Sequence, residues 1–301
     1  MARAALSADS LAELSEPRLE RLARAAGHLL GGRPIHLGGA LPHPRPIDAG
    51  LEFMEHRPLL PGDDPRHVDW RASARRQQPL VRRYRDERAG EWVLCLDGSA
   101  SMGECAPGAW ALALQLTAAL AYVLIGLEHR VGLALFSSGL ERLHPPGRGR
   151  RTYLALRHLL ADCRPRVDGG ESRLDACLPL LERGRQCAVI GDFLAPGAMR
   201  GALGRLRGRC DALHVFQVVS PVLALAEGES LRLRDAESGA LLPAHAVGGL
   251  AERVTAQHED LTRSLARYCA ERRIQHSLCP VGTPWDRILL GHLVGPEARL
   301  A

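Results

Sequence analysis

The sequence predicts an α/β fold: a doubly wound, mostly parallel sheet with helices on both faces, preceded by an extension of helices and short strands. Three observations carry that expectation. Beyond residue 91, short apolar runs alternate with longer helix-patterned stretches. Alternation at this pace calls for right-handed crossovers between parallel strands. The stretch Ala109–Leu127 is almost free of charge, as a central helix packed against such a sheet would be.

Taken in order, residues 1–31 place Leu11, Leu14, Leu19, Leu22 and Leu29 at helical spacing, closed by Gly31-Gly32, which predicts an N-terminal helical segment. Residues 32–90 change character: prolines, glycines and charges are dense, with short strands expected at 50–55 and 80–85 and a turn of helix at 68–76. Residues 91–290 form the α/β domain. Its strands are expected at Trp92–Leu96, Val131–Ser137 (turning back through Gly139–Leu143), Cys187–Ile190, Ala212–Val219 and Gln275–Val281. Helices are expected at Ala109–Leu127, Thr152–Asp162, Asp175–Arg183, Ala198–Arg207 and Leu250–Arg273, with a small hairpin at Ser230–Leu242.

Composition removes several function classes. The chain of 301 residues is 46% hydrophobic and 24% charged, enough to bury a sizeable core. The positive charge behind its net +5 is all arginine, because there is no lysine; asparagine is absent too. That bias reflects GC-rich coding, so the charge is no argument for a nucleic-acid partner. The eight cysteines, Cys95, Cys105, Cys163, Cys177, Cys187, Cys210, Cys269 and Cys279, form no C-x-x-C pair. They read as small buried hydrophobes in a reducing compartment. Ala109–Leu127 approaches the length of a bilayer span, but Gln115, Thr117 and its alanine content favour a buried helix. With no basic start leading into an apolar stretch, a cytoplasmic location is expected.

Chemistry concentrates where ligands bind in open parallel sheets, outside the carboxyl ends of the strands. The first such end reads Asp97-Gly98-Ser99-Ala100-Ser101, one carboxylate and two hydroxyls along a tight turn. Hard oxygen ligands at this density suit Mg²⁺, Mn²⁺ or Ca²⁺. Val189-Ile190-Gly191-Asp192 offers a second carboxylate, and Gly169-Gly170-Glu171-Ser172 a further hydroxyl. This D-x-S-x-S loop resembles the metal-ion-dependent adhesion site of von Willebrand factor A domains. The resemblance implies metal ligands at Asp97, Ser99, Ser101 and Asp192, with Ser172 in the place usually held by threonine. Asp175 is the neighbouring alternative to Ser172.

The upstream text is similar to a particular bacterial family. Phe53-Met54-Glu55-His56-Arg57, Pro61-Gly62-Asp63-Asp64-Pro65-Arg66-His67-Val68-Asp69-Trp70-Arg71 and Ser73-Ala74-Arg75 resemble the family known as domain of unknown function 58. The likeness covers roughly residues 30–290. It implies a partner of MoxR-type AAA+ ATPases, acting in assembly or activation of other proteins.

Enzyme signatures fail one by one. Gly98-Ser99-Ala100-Ser101-Met102 is not G-x-S-x-G. Ser99 stands where a haloacid-dehalogenase-like phosphatase needs its second aspartate, and no G-x-x-x-x-G-K loop exists without lysine. No H-E-x-x-H spacing appears among the thirteen histidines. The expectation is therefore a non-catalytic, cation-dependent protein-binding module whose client supplies an Asp or Glu to the metal. The alternatives are a metal-independent adaptor binding through the Arg-rich 57–88 segment and, more weakly, nucleic-acid association. The alternating Asp and Arg of 61–75 are read first as an ion-paired brace.

Overall fold

The computed structural model describes residues 10–29, 51–58, 68–76, 78–86, 90–103, 108–167, 170–182, 184–194, 196–221, 230–234, 240–245 and 250–294. Gly31-Gly32, residues 61–67, Cys105 and Gly169 lie outside them. The chain forms two compact units, residues 1–40 with 90–301, and residues 41–89.

Helix α1 (Glu16–Leu29) belongs to the larger unit. In the smaller unit, β1 (Leu51–Pro58) pairs antiparallel with β2 (Leu80–Asp86), and a short helix, α2 (Trp70–Arg76), lies between them in sequence. The Asp69 carboxylate accepts the amides of Arg71 and Ala72 at 3.1 and 3.0 Å, an N-cap for α2. Asp69 N–H donates to Leu80 O at 2.8 Å, and Leu80 N–H donates to the Ser73 hydroxyl at 2.9 Å. Those bonds tie the helix to the hairpin.

The larger unit is a mixed α/β layer structure. Its strands are β3 (Glu91–Asp97), β4 (Arg130–Phe136), β5 (Leu140–Gly147), β6 (Arg185–Gly191) and β7 (Ala212–Val219). After a separate hairpin, β8 (Ser230–Arg234) with β9 (Leu241–His245), comes β10 (Gln275–Pro280). The six-stranded sheet runs in the order β10-β7-β6-β3-β4-β5, with only β5 antiparallel. Pro145 and Pro146 are tolerated in β5 because it is an edge strand.

Side chains alternate across the sheet, and each face is covered. Trp92, Leu94 and Leu96 join the core that includes α1 together with α3 (Ala109–Gly126), α4 (Gly149–Asp162) and, near the C-terminus, the last helix. Val93 and Cys95 face the other core, with α5 (Pro196–Arg207) and α6 (Leu250–Glu271). The last helix is α7 (Trp285–Val294). Helix α3 is apolar all round and long enough to cross a membrane, yet most of it is buried in this core. Each fully buried leucine there, such as Leu114 or Leu116, contributes about 1.5–3 kcal/mol. The seven described cysteines are buried.

Three elements differ from expectation. The helix predicted over 175–183 is instead a 3₁₀ segment, Leu174–Leu180, since Pro179 within it removes the donor an α-helix needs. The return from β4 runs on to Gly147 rather than stopping at 143. Helix α7 was not anticipated, although Trp285, Ile288, Leu289 and Leu293 line its buried face.

One polar feature of the core has a consequence for stability. His214 Nδ1 lies 3.1 Å from His292 Nε2, and His292 Nδ1 lies 2.7 Å from the Ser277 hydroxyl. Burial lowers His214 from 6.5 to about 3 and His276 to about 4. Between those values and 6.5 the unfolded chain binds more protons, so stability falls as the pH drops through that window. His214→Gln is expected to remove much of the acid sensitivity, a loss of roughly 3–5 kcal/mol at the acid limit. Denaturant unfolding from pH 7 to pH 3 measures it, and parallel curves for both proteins would refute it.

Candidate metal centre

The sheet places its chemistry at one point. Strands β3, β4 and β5 progress to one side and β6, β7 and β10 to the other, so the order reverses between β3 and β6. A crevice opens at such a reversal, outside the carboxyl ends of the strands. Asp97 ends β3, and Asp192 follows directly on its neighbour β6.

Five residues expected from the sequence meet here, all buried: Asp97 is 1% exposed, Ser172 4% and Asp192 7%. The Ser99 amide donates to Asp97 Oδ1 at 2.9 Å, and the Ser99 and Ser101 hydroxyls are 3.0 Å apart. Ser172 Oγ donates to Asp97 Oδ1 and Oδ2 at 3.2 and 3.1 Å. Ser101 lies close enough to Asp192 to favour its charged form. Asp175 points elsewhere, to the Arg205 guanidinium at 2.8 Å. Of the two alternatives, Ser172 therefore meets Asp97.

Backbone bonds hold the loops together. Gly98 N–H donates to Phe136 O, Arg166 N–H to Gly98 O, and Arg173 N–H to Ser137 O, at 2.8, 2.8 and 2.7 Å. The last of these carries the Ser172 loop to the end of β4. Leu194 N–H donates to Asp192 Oδ1 at 3.3 Å. That turn requires Phe193 at φ 58°, a left-handed conformation rare for a bulky side chain. Gly191 answers a close approach: a Cβ there would lie 2.8 Å from the Asp97 Cβ.

The electrostatics are unfavourable as they stand. Burial, then the neighbouring Asp192, raises Asp97 from 3.8 to about 7. Burial likewise raises Asp192, with hydrogen bonds and the charge of His258 acting against it. Among the described residues Asp192 Oδ2 is buried with no hydrogen-bond partner, and such an atom is costly unless something else satisfies it. Among the described residues no three His, Cys, Asp or Glu cluster as metal ligands. A cation here would rest on two carboxylates and three hydroxyls, all hard oxygens. That set fits Mg²⁺, Mn²⁺ or Ca²⁺ and not a soft metal.

Sequence reasoning missed the supporting residues. Phe193 and His258 gave no signal at all. Gly191, set between a buried strand and an aspartate, was a legible one.

Comparison with known proteins supplies the family. Residues 55–255 match the family described as protein of unknown function DUF58. The uncharacterized proteins Rv1480 of Mycobacterium tuberculosis and Mb1516 of Mycobacterium bovis are each 32% identical over 211 residues. Those matches take in 68% of this chain and 64% of the relatives, so the chain spans just under two thirds of their length. Among solved structures, BatB from Bacteroides thetaiotaomicron, a conserved hypothetical protein, matches at 14% identity and a TM-score of 0.37, over 61% of this chain and 98% of its own. An uncharacterized membrane-spanning protein from Vibrio fischeri matches at 14% identity and 0.24, over 65% and 94%. On the extent of the family match and the identity to the mycobacterial proteins, the chain belongs to the DUF58 family.

Proposed function

We propose that the larger unit is a doubly wound, von Willebrand factor A-like domain that binds other proteins through a divalent cation, without catalysing a reaction. The observation that carries this is the pair of buried, interacting carboxylates, Asp97 and Asp192, at the sheet reversal, with Asp192 Oδ2 lacking a hydrogen-bond partner among the described residues. Two like charges in a buried place are tolerated when a cation joins them. Asp97, Ser99, Ser101, Ser172 and Asp192 would hold it. The bound ion supplies a fixed positive charge that attracts a partner's Asp or Glu.

The chain's own residues do the rest. Gly191 lets the two strand ends close up, the Ser172 hydroxyl orients Asp97, and the turn through Phe193 aims Asp192. The Ser99 and Ser101 hydroxyls face each other beside the Asp97 and Asp192 carboxylates, an oxygen-rich setting that favours ligation of a hard cation. The likeness to partners of MoxR-type AAA+ ATPases makes such an ATPase the first partner to test, acting with this chain on a client protein that supplies the Asp or Glu.

Calorimetric titration with Mg²⁺ and Mn²⁺ tests the reading. Wild type is expected to bind, Asp97→Ala to lose binding, and Ser172→Ala to weaken it about tenfold, a cost of roughly 1.4 kcal/mol. Asp175→Ala is expected to bind as wild type does. Equal affinities in wild type and Asp97→Ala would sink the assignment.

A further inference from the structure

The smaller unit displays a surface that its own folding does not explain. Trp70 is 70% exposed, the most exposed large apolar residue described, whereas Trp92, Trp110 and Trp285 are buried. It stands at the start of α2 with Ala74 one turn on, and Arg71 and Arg75 form the adjacent row at the same spacing. All four are exposed. Arg71 and Arg75 have no ion pair among the described residues.

Each of these choices works against stability. Like charges at i and i+4 repel by about 0.2–0.5 kcal/mol, and an arginine in the first turn opposes the helix dipole. An exposed indole forgoes the benefit of burial. Yet the helix that bears them is firmly built. Asp69 caps it, and the Ser73 hydroxyl, itself buried, bonds to Asp69 O at 2.6 Å and accepts from Leu80 N–H. A rigid mount carrying an exposed tryptophan and unpaired arginines has the composition of an interface hot spot.

We propose that the Trp70–Arg71–Ala74–Arg75 face of α2 is a docking surface for an acidic protein segment. Trp70 would be covered by an apolar side chain, and the two guanidinium groups would take carboxylates, which match their forked geometry. Charge decides the class of partner. Helix α2 carries three arginines and no acidic residue, whereas residues 41–89 as a whole carry ten arginines against eight Asp or Glu. A nucleic-acid surface needs basic residues spread along a backbone track. Helix α2 and the five oxygen ligands belong to different units.

The test uses a phage-displayed library of short random peptides, panned on the full chain in EDTA, with Trp70→Ala for counter-selection. Expected binders are rich in Asp and Glu with interspersed apolar residues. A synthetic peptide of the selected sequence should protect Trp70 from iodide quenching and shift its emission to the blue. Arg71→Glu/Arg75→Glu should weaken that peptide about tenfold or more, with circular dichroism and Mg²⁺ binding unchanged. Four results would each overturn the proposal: no Trp70-dependent binders, binders that are not acidic, equal affinity in the charge-reversed variant, or tighter binding by a random single-stranded oligonucleotide. A Trp70 already blue-shifted and shielded in the free protein would overturn it too, since the chain itself would then cover the face.

Discussion

Replacing Asp97 by Asn is expected to make the cation-free protein more stable above neutral pH while abolishing its response to Mg²⁺. The wild-type carboxyl has a folded value of about 7 against 3.8 unfolded, raised by burial and by Asp192. Between those values the native state binds the extra proton. Wild-type stability therefore falls as the pH rises from 3.8 through 7, and the loss is complete above 7. Asparagine keeps the acceptor that Ser99 N–H uses and cannot ionise. In EDTA the variant should gain over wild type as the pH rises, levelling off at roughly 2–4 kcal/mol. A bound cation reverses the sign for wild type, because the charged carboxylate becomes the favoured form. Thermal melts with EDTA and with Mg²⁺, at pH 5 and pH 8, give the four comparisons needed. A destabilised Asp97→Asn at pH 8 in EDTA would show that the charge is already compensated within the protein.

How much of this was legible in the sequence depends on the range of the interaction. Strand positions came through because β3, β4, β6 and β7 are short, mostly apolar runs, buried along nearly their whole length. The Asp97 loop was readable because three of the five candidate ligands lie within five residues. The partnership of Asp97 with Ser172, 75 residues on, is a tertiary fact. Nothing local separates Ser172 from Asp175, and only the fold turns Asp175 toward Arg205. The 3₁₀ segment at Leu174–Leu180 misled the helical reading, since its apolar spacing is helical and Pro179 decides against it. Of the 61–75 stretch, residues 61–67 lie outside the described residues; within the rest, the Asp69 carboxylate accepts the amides of Arg71 and Ala72, and its N–H donates to Leu80 O.

Gly191 offers the sharpest separation of geometry from charge. An alanine there would place its Cβ 2.8 Å from the Asp97 Cβ and 3.2 Å from Oδ2, closer than carbon atoms tolerate. Both neighbours are fixed: Gly191 ends a central strand, and Asp97 is held by Ser99 and Ser172. Relief can come only by parting β3 from β6 at the sheet reversal or by turning Asp97 away from Asp192. Overpacking of this kind costs roughly 1–3 kcal/mol, and either movement separates the two carboxylates. Gly191→Ala should therefore lower the melting temperature and lose Mg²⁺ affinity together, although no ligand atom has been removed. Gly139→Ala is the control, since a Cβ at that position meets nothing within 4 Å. Were Gly191→Ala destabilised yet still bound Mg²⁺ as wild type does, the close approach of the two strand ends would serve packing alone. The cation would then have to be held without Asp192. Loss of both properties would tie them to one contact, in which the absence of a side chain at 191 allows two buried carboxylates to share an ion.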